Sequence, residues 1–290
     1  MNFRKLPWYD YGERFSPFRA AVFVALFIPA LWTAISYDLD RLGARPLTEA
    51  IHQFGDWTIR LIFIALVISP ARIALQWPSL LQLRRMVGVA AFAYAAVHLS
   101  LYVVDESFAI PTVILEIILR IYLTIGFTTL LGLGVLAVTS TDGWQRSLGA
   151  RRWQRLHRII YAIALLAVIH FCLQSKLDEW EPTVMAGIYL WLMGCRLISA
   201  RYGRGKLPLW SLAAASMAAA VLTALGEACY FWLAMGAPFG LVLNANLSLE
   251  TGLRPAWVVL VSTSAIALLG SLRAMIKPRA KAALKVPSRA

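Results

Sequence analysis

Long apolar runs separated by short polar connections dominate the chain. A helix needs about 20 mainly apolar residues to cross a bilayer. Eight stretches meet that length, at roughly 17–36, 52–71, 86–104, 112–138, 154–174, 182–200, 208–234 and 256–276. In hydrocarbon each backbone N–H and C=O must find its partner within the protein, which favours helices throughout. The pattern therefore predicts an all-α, polytopic membrane bundle of about eight transmembrane helices. The connections are short, so neighbouring helices should run antiparallel.

Charge placement orients the bundle. The N-terminal tail, the segments 70–86, 139–158 and 196–207, and the C-terminal tail hold 22 of the 28 Lys and Arg residues. The alternate connections carry acids instead: Asp38, Asp40 and Glu49, then Asp105 and Glu106, then Asp178, Glu179 and Glu181. Lys and Arg concentrate on the cytoplasmic side of membrane proteins, so both termini are expected in the cytoplasm.

Composition agrees. Of 290 residues, 60% are hydrophobic and only 15% charged, and the mean hydropathy is +0.67. A soluble domain of this length needs more polar surface. The net charge of +13 would suggest nucleic acid in a soluble protein. Here the basic residues lie between apolar runs, as orientation signals and contacts for anionic lipid, and no nucleic-acid partner is expected. Cys172, Cys195 and Cys229 fall inside apolar runs without a CxxC pair, which argues against a disulfide framework or a zinc site. The polar first 16 residues lack a signal-peptide pattern, so the first span is expected to remain in the membrane.

Four histidines, His52, His98, His157 and His170, lie in or beside spans. A polar ring in hydrocarbon is costly without a partner and defaults to a functional candidate. At about 1.5 Å of rise per residue, His98 and His170 sit about 18 and 24 Å from the basic ends of their helices. Two neutral imidazoles at such matched depth suit both axial positions of one heme iron. His157 lies about 20 Å below His170 on the same stretch, a separation suited to two redox centres. On an ideal helix the two rings would point in different directions, so a kink or a differently placed second heme is needed. Arg84 stands on the third span where a partner histidine for His157 would be expected. The pattern alone leaves heme ligation and an ion or proton pathway both open.

The order and spacing of short motifs adds a resemblance. The run starts at Gly43-Ala44-Arg45-Pro46, passes through His52-Gln53-Phe54-Gly55 and Ser69-Pro70-Ala71-Arg72, and reaches Arg84-Arg85-Met86-Val87-Gly88 with His98 beyond. It continues with Arg120-Ile121-Tyr122-Leu123-Thr124-Ile125-Gly126 and Thr139-Ser140, then Leu148-Gly149, Trp153, Leu156-His157, Tyr161, His170 and Lys176. These residues resemble the ferric-reductase-like transmembrane superfamily and, within it, the MsrQ family of heme-binding membrane subunits of bacterial protein-methionine-sulfoxide reductase systems. The resemblance covers roughly 38–200. It implies one or two b-type hemes with His98, His157 and His170 as iron ligands. It also implies a periplasmic molybdopterin reductase subunit as partner and a bacterial inner-membrane location. Electrons would come from quinone or a cytoplasmic flavin reductase. FMN is a further cofactor the family suggests, and no residue here is assigned to it. A proline commonly follows the arginine of the 120–126 motif in the family, and Ile121 stands there instead. The expected organisation is a cytoplasmic tail over 1–16, a ferric-reductase-like heme domain over 17–200, an extra helix pair over 201–276 that lies outside the resemblance, and a basic tail over 277–290.

Other polar residues divide between local and cofactor roles. Glu116 and Arg120 are spaced for an i,i+4 ion pair, with contact to a heme propionate as the sharper reading of Arg120. Arg60, about two turns inside the second span, and Arg84 are further candidates for a propionate or for support of the ligands. His52 is expected to make interfacial hydrogen bonds, and Glu227 to pair with an inward-facing polar group. A doubly ligated heme has no open position, so the chain is expected to carry electrons without a substrate site of its own. Two alternatives stay on the page. One is a ferric- or oxygen-reducing oxidoreductase with a separate dehydrogenase partner, since about 14 residues after the last span are too few for fused flavin and nicotinamide domains. The other is a transporter, which needs helices broken near the midplane.

Overall fold

The computed structural model describes residues 6–9, 14–175, 179–203, 207–248 and 252–276. Lys176, Asp178, Arg204, Lys206 and the basic tail 277–290 lie outside them. Among the described residues there is no strand, only one isolated bridge between Tyr9 and Phe15. Eight helical stretches are long and apolar enough to cross a membrane.

The first span is broken into α1 (Pro17–Ala25) and α2 (Ile28–Asp38). Pro29 opens the backbone ladder here, and a side chain enters the gap. The buried Tyr94 hydroxyl donates to Leu26 O at 2.7 Å and accepts from Ala30 N–H at 3.1 Å. Those two groups would have bonded to each other in an unbroken helix. The outward face of this span, with Val24, Phe27, Leu31, Trp32 and Ile35, is exposed, as suits contact with lipid.

The long α3 (Pro46–Ala74) is the central helix and touches α2, α4 (Leu81–Asp105), α8 (Ile160–Gln174), α9 (Trp180–Tyr202) and α12 (Pro255–Ile276). Its buried face, including Ile59, Ile62, Phe63 and Leu66, meets Val87, Ala91 and Ala95 of α4 in the core.

The stretch 112–138, expected as one span, is two helices. The short α5 (Ile110–Leu119) ends at Arg120, whose extended backbone (φ −102°, ψ 106°) starts α6 (Ile121–Val138) on a new course. Thr124 offsets the break by donating its hydroxyl to Ile117 O across it. Ile121 begins the new helix without the proline that would normally force such a turn.

The fifth span is also interrupted. The basic α7 (Asp142–Leu156) bends at Gly149, whose φ of +70° suits only a residue without Cβ, and a 3-10 turn at His157–Ile159 precedes α8. The helix is thus interrupted between His157 and His170, where the sequence left a kink as one of two options.

After α9, the chain adds α10 (Leu209–Met235), a short α11 (Phe239–Leu247) and α12. Helices α9, α10 and α12 pack as a triplet, with α12 also against α3.

Side-chain contacts tie the connections into two ends. Arg85 pairs with Asp142 at 2.5 Å, Arg273 lies over the Trp77 ring, and Phe18 stacks on the same ring. This is the basic end. At the acidic end, Tyr230 donates to Glu179 and Trp180 Nε1 donates to Leu253 O.

Candidate functional site

Helices α3, α4, α6 and α8 wall a cavity of about 380 Å³, closed on one side by Glu181 and Pro182 of α9. The size falls within the roughly 300–1,000 Å³ typical of small-molecule and cofactor sites. His98 from α4 and His170 from α8 both line it.

Each imidazole is held by a backbone carbonyl of another helix. His98 Nδ1 lies 2.7 Å from Ile51 O on α3, and His170 Nδ1 lies 2.8 Å from Tyr122 O on α6. A carbonyl only accepts, so each Nδ1 carries the proton and donates. In the neutral ring Nε2 then keeps its lone pair. Metal-binding histidines are commonly oriented by this Nδ1–H to carbonyl contact, which also raises the donor strength of the other nitrogen.

The ring centres are 6.4 Å apart and the ring planes meet at 83°. A metal–imidazole bond is about 2.0–2.1 Å, and a ring centre lies about 1.2 Å from its nitrogens, so two rings on opposite sides of one metal would be about 6.4–6.6 Å apart. The observed spacing of 6.4 Å falls in that range. Among the described residues, no group of three or more His, Cys, Asp or Glu is placed to hold a metal, so the two imidazoles would supply only two of its ligands.

The candidate residues elsewhere divide clearly. His157 sits at the basic end, stacked on Trp153 at 3.9 Å between ring centres. Its Nδ1 donates to Trp153 O at 3.1 Å, and its Nε2 meets the Ser140 hydroxyl at 3.3 Å. Both nitrogens are thus engaged within the basic end. Arg84 is half-buried and within electrostatic range of His157. Arg60 makes a two-pronged ion pair with Glu181, at 2.7 and 2.8 Å, and Glu181 lines the cavity. Arg120 pairs with Glu116 at 2.6 Å and donates to the Tyr122 hydroxyl at 3.2 Å, while Tyr102 donates to the other Glu116 oxygen. The i,i+4 reading of Glu116 and Arg120 is therefore the arrangement present, and two of the three arginines considered for a propionate, Arg60 and Arg120, already hold carboxylate partners. His52 is exposed at the cavity lining.

Sequence reasoning missed several lining residues. Asp56 faces the cavity one turn from His52 and reads in sequence as an ordinary charge near a span edge. Tyr102 and Tyr122 also line it, with no signal beyond the usual aromatic enrichment of membrane interfaces.

The family model described as "Ferric reductase like transmembrane component" matches residues 54–168, the stretch that supplies most of the cavity wall. A protein of Rhodospirillum rubrum named protein-methionine-sulfoxide reductase heme-binding subunit MsrQ is 39% identical over 193 residues, covering 66% of this chain and 93% of that protein. The chain belongs to the MsrQ family. Members carrying the same name in Xanthomonas campestris pv. campestris strain 8004 and in Caulobacter vibrioides are 44% and 38% identical, over 60% and 64% of this chain and 80% and 89% of theirs. No solved structure matches the chain. The match to the Rhodospirillum rubrum protein spans 93% of that relative and leaves about a third of this chain outside it.

Proposed function

We propose that this MsrQ-family protein is the heme-binding membrane subunit of a protein-methionine-sulfoxide reductase system, with a b-type heme between His98 and His170. The observation that carries the proposal is the pair of imidazoles 6.4 Å apart, each with Nδ1 given to a carbonyl. A porphyrin brings four nitrogens to iron and leaves at most two axial positions, so two imidazoles would complete the set. That is the donor set on the cavity wall. The names of the relatives, as heme-binding subunits, support the same reading.

When bound, the heme supplies one-electron chemistry. The residues of this chain define what that electron can do. With His98 and His170 both holding the iron, the heme would have no position for oxygen or substrate and would supply electron transfer alone. Ala95, Leu99, Phe127, Leu130, Ala167 and Phe171 give the cavity an apolar wall, which limits water around the centre. Arg60 and Arg120, near its rim, are the cations closest in character to propionate partners, and each would have to share its present carboxylate. His157 offers one imidazole at the basic end. A second heme there would take its other axial ligand from a group other than histidine, and the heme-to-protein ratio decides between one heme and two.

In this proposal the basic end faces the cytoplasm of a bacterial inner membrane. Electrons enter from quinone or a cytoplasmic flavin reductase and leave at the acidic end to a periplasmic molybdopterin reductase subunit. The test is stepwise reduction of the purified protein. A quinol, or NADH with a flavin reductase, should reduce the heme, and the reductase subunit with oxidised methionine should reoxidise it. Reoxidation by ferric chelates or oxygen alone, with none by the reductase subunit, would favour the ferric- or oxygen-reducing alternative. A colourless protein would defeat both.

A further inference from the structure

In an α-helix the side chain of residue i+4 leans back over the turn before it and covers the carbonyl of residue i. That carbonyl already accepts the N–H of i+4, and its second lone pair is normally hidden. The cavity breaks this rule twice in the same way. His98 reaches Ile51 O, and the residue four places on is Gly55; His170 reaches Tyr122 O, and the residue four places on is Gly126.

A side chain would crowd the imidazole at both places. A Cβ at Gly55 would lie 3.1 Å from His98 Cε1 and 3.2 Å from its Nδ1. A Cβ at Gly126 would lie 2.7, 2.9 and 3.1 Å from His170 Cε1, Nδ1 and Nε2. The first is a tight contact and the second an overlap.

We infer that Gly55 and Gly126 are positioning residues, which open one helical turn each so that the imidazoles of His98 and His170 seat against α3 and α6 with their planes fixed nearly at right angles. Rotation of an imidazole about its last bond is soft, with broad wells, so an interplanar angle of 83° must be set from outside the ring. Each ring is fixed at one nitrogen by the carbonyl and along one edge by the glycine. The inference rests on the proposal that these rings flank one iron.

The consequence is spectroscopic. Axial imidazoles with perpendicular planes leave the two π-type orbitals of a ferric iron nearly equal in energy, giving a highly anisotropic low-spin resonance. Parallel planes split them and give an ordinary rhombic one. The carbonyl contacts also raise the donor strength of Nε2, which favours the ferric state and lowers the midpoint potential.

The experiment compares electron paramagnetic resonance and midpoint potential in heme-loaded full-length protein and three variants. Gly126→Ala and Gly55→Ala crowd the seats. Gly132→Ala is the control, because its Cβ would meet Ile163 Cδ1 at 2.8 Å on the same α6 without touching an imidazole. Gly126→Ala should move the resonance towards the rhombic form and raise the potential, or lose heme altogether. Gly55→Ala should do the same to a smaller degree and remains readable if Gly126→Ala does not fold. Gly132→Ala should lower thermal stability and leave both readouts as in the wild type. Unchanged signal and potential in both seat variants, or equal changes in Gly132→Ala, would overturn the inference. A rhombic signal in the wild type would also do so. Wild-type protein without heme would instead defeat the underlying proposal.

Discussion

Around the cavity, His98 and His170 each place one ring nitrogen, Nδ1, on a backbone carbonyl. At the end of α10, Glu227 uses both carboxylate oxygens, one on Arg254 at 2.5 Å and one on Asn246 at 2.9 Å. Glycines differ in the same sense. Gly55 and Gly126 face imidazoles, whereas Gly187 faces Thr223 and Val259, and Gly270 faces the carbonyl of Ala74. One region keeps donor capacity around a void, and the other closes polar group on polar group and helix on helix. Buried polarity alone therefore does not mark the site. In the proposed reading, two imidazoles oriented by carbonyls on one cavity wall do.

If the C-terminal triplet is structural, damage there should cost stability and spare the heme. Glu227→Ala leaves the Arg254 charge without its partner, and breaking a buried pair in this way costs about 3–5 kcal/mol. Labelling of Cys195, buried in α9, should begin at a much lower temperature, while heme per folded molecule stays as in the wild type. Heme loss in parallel would merge the two regions into one functional unit. Gly187→Val should cost about 1–3 kcal/mol by overpacking, read from the same labelling curve and again with heme retained.

Two changes probe the boundary of the cavity region. Tyr94→Phe removes the hydroxyl between Leu26 O and Ala30 N–H and should cost about 0.5–1.5 kcal/mol, measured by thermal unfolding, with the heme spectrum unaltered. Arg60→Ala is expected to have the smallest effect. Heme should stay bound, and the midpoint potential should fall slightly, because a cation that disfavours the oxidised iron is gone and Glu181 is left unpaired. A rise in potential would show that Arg60 does not act on the heme through its charge.

The spans were legible because a bilayer imposes both length and apolarity, and a helix of about 20 residues cannot hide either. The breaks were not. Arg120 turns the chain without the proline that usually announces a turn, and the gap after α1 is held open by Tyr94, 68 positions from Leu26. Matched depth brought His98 and His170 together on paper, since rise per residue is constant. The carbonyls that orient them lie 47 and 48 positions away, and a backbone acceptor leaves no mark in the side-chain sequence. Gly55 and Gly126 were visible, but a glycine in a span gives no hint of what it faces. For Glu227 the expected polar partner is Arg254, together with Asn246 on a helix too short to register as a span.

The most direct test of shared ligation is the reduced-minus-oxidised absorption difference of purified wild type, His98→Ala, His170→Ala and His157→Ala. The account expects low-spin b-type bands in the wild type, none from the cavity heme when either His98 or His170 is replaced, and those bands still present in His157→Ala. Full retention of the wild-type bands in both His98→Ala and His170→Ala would contradict it.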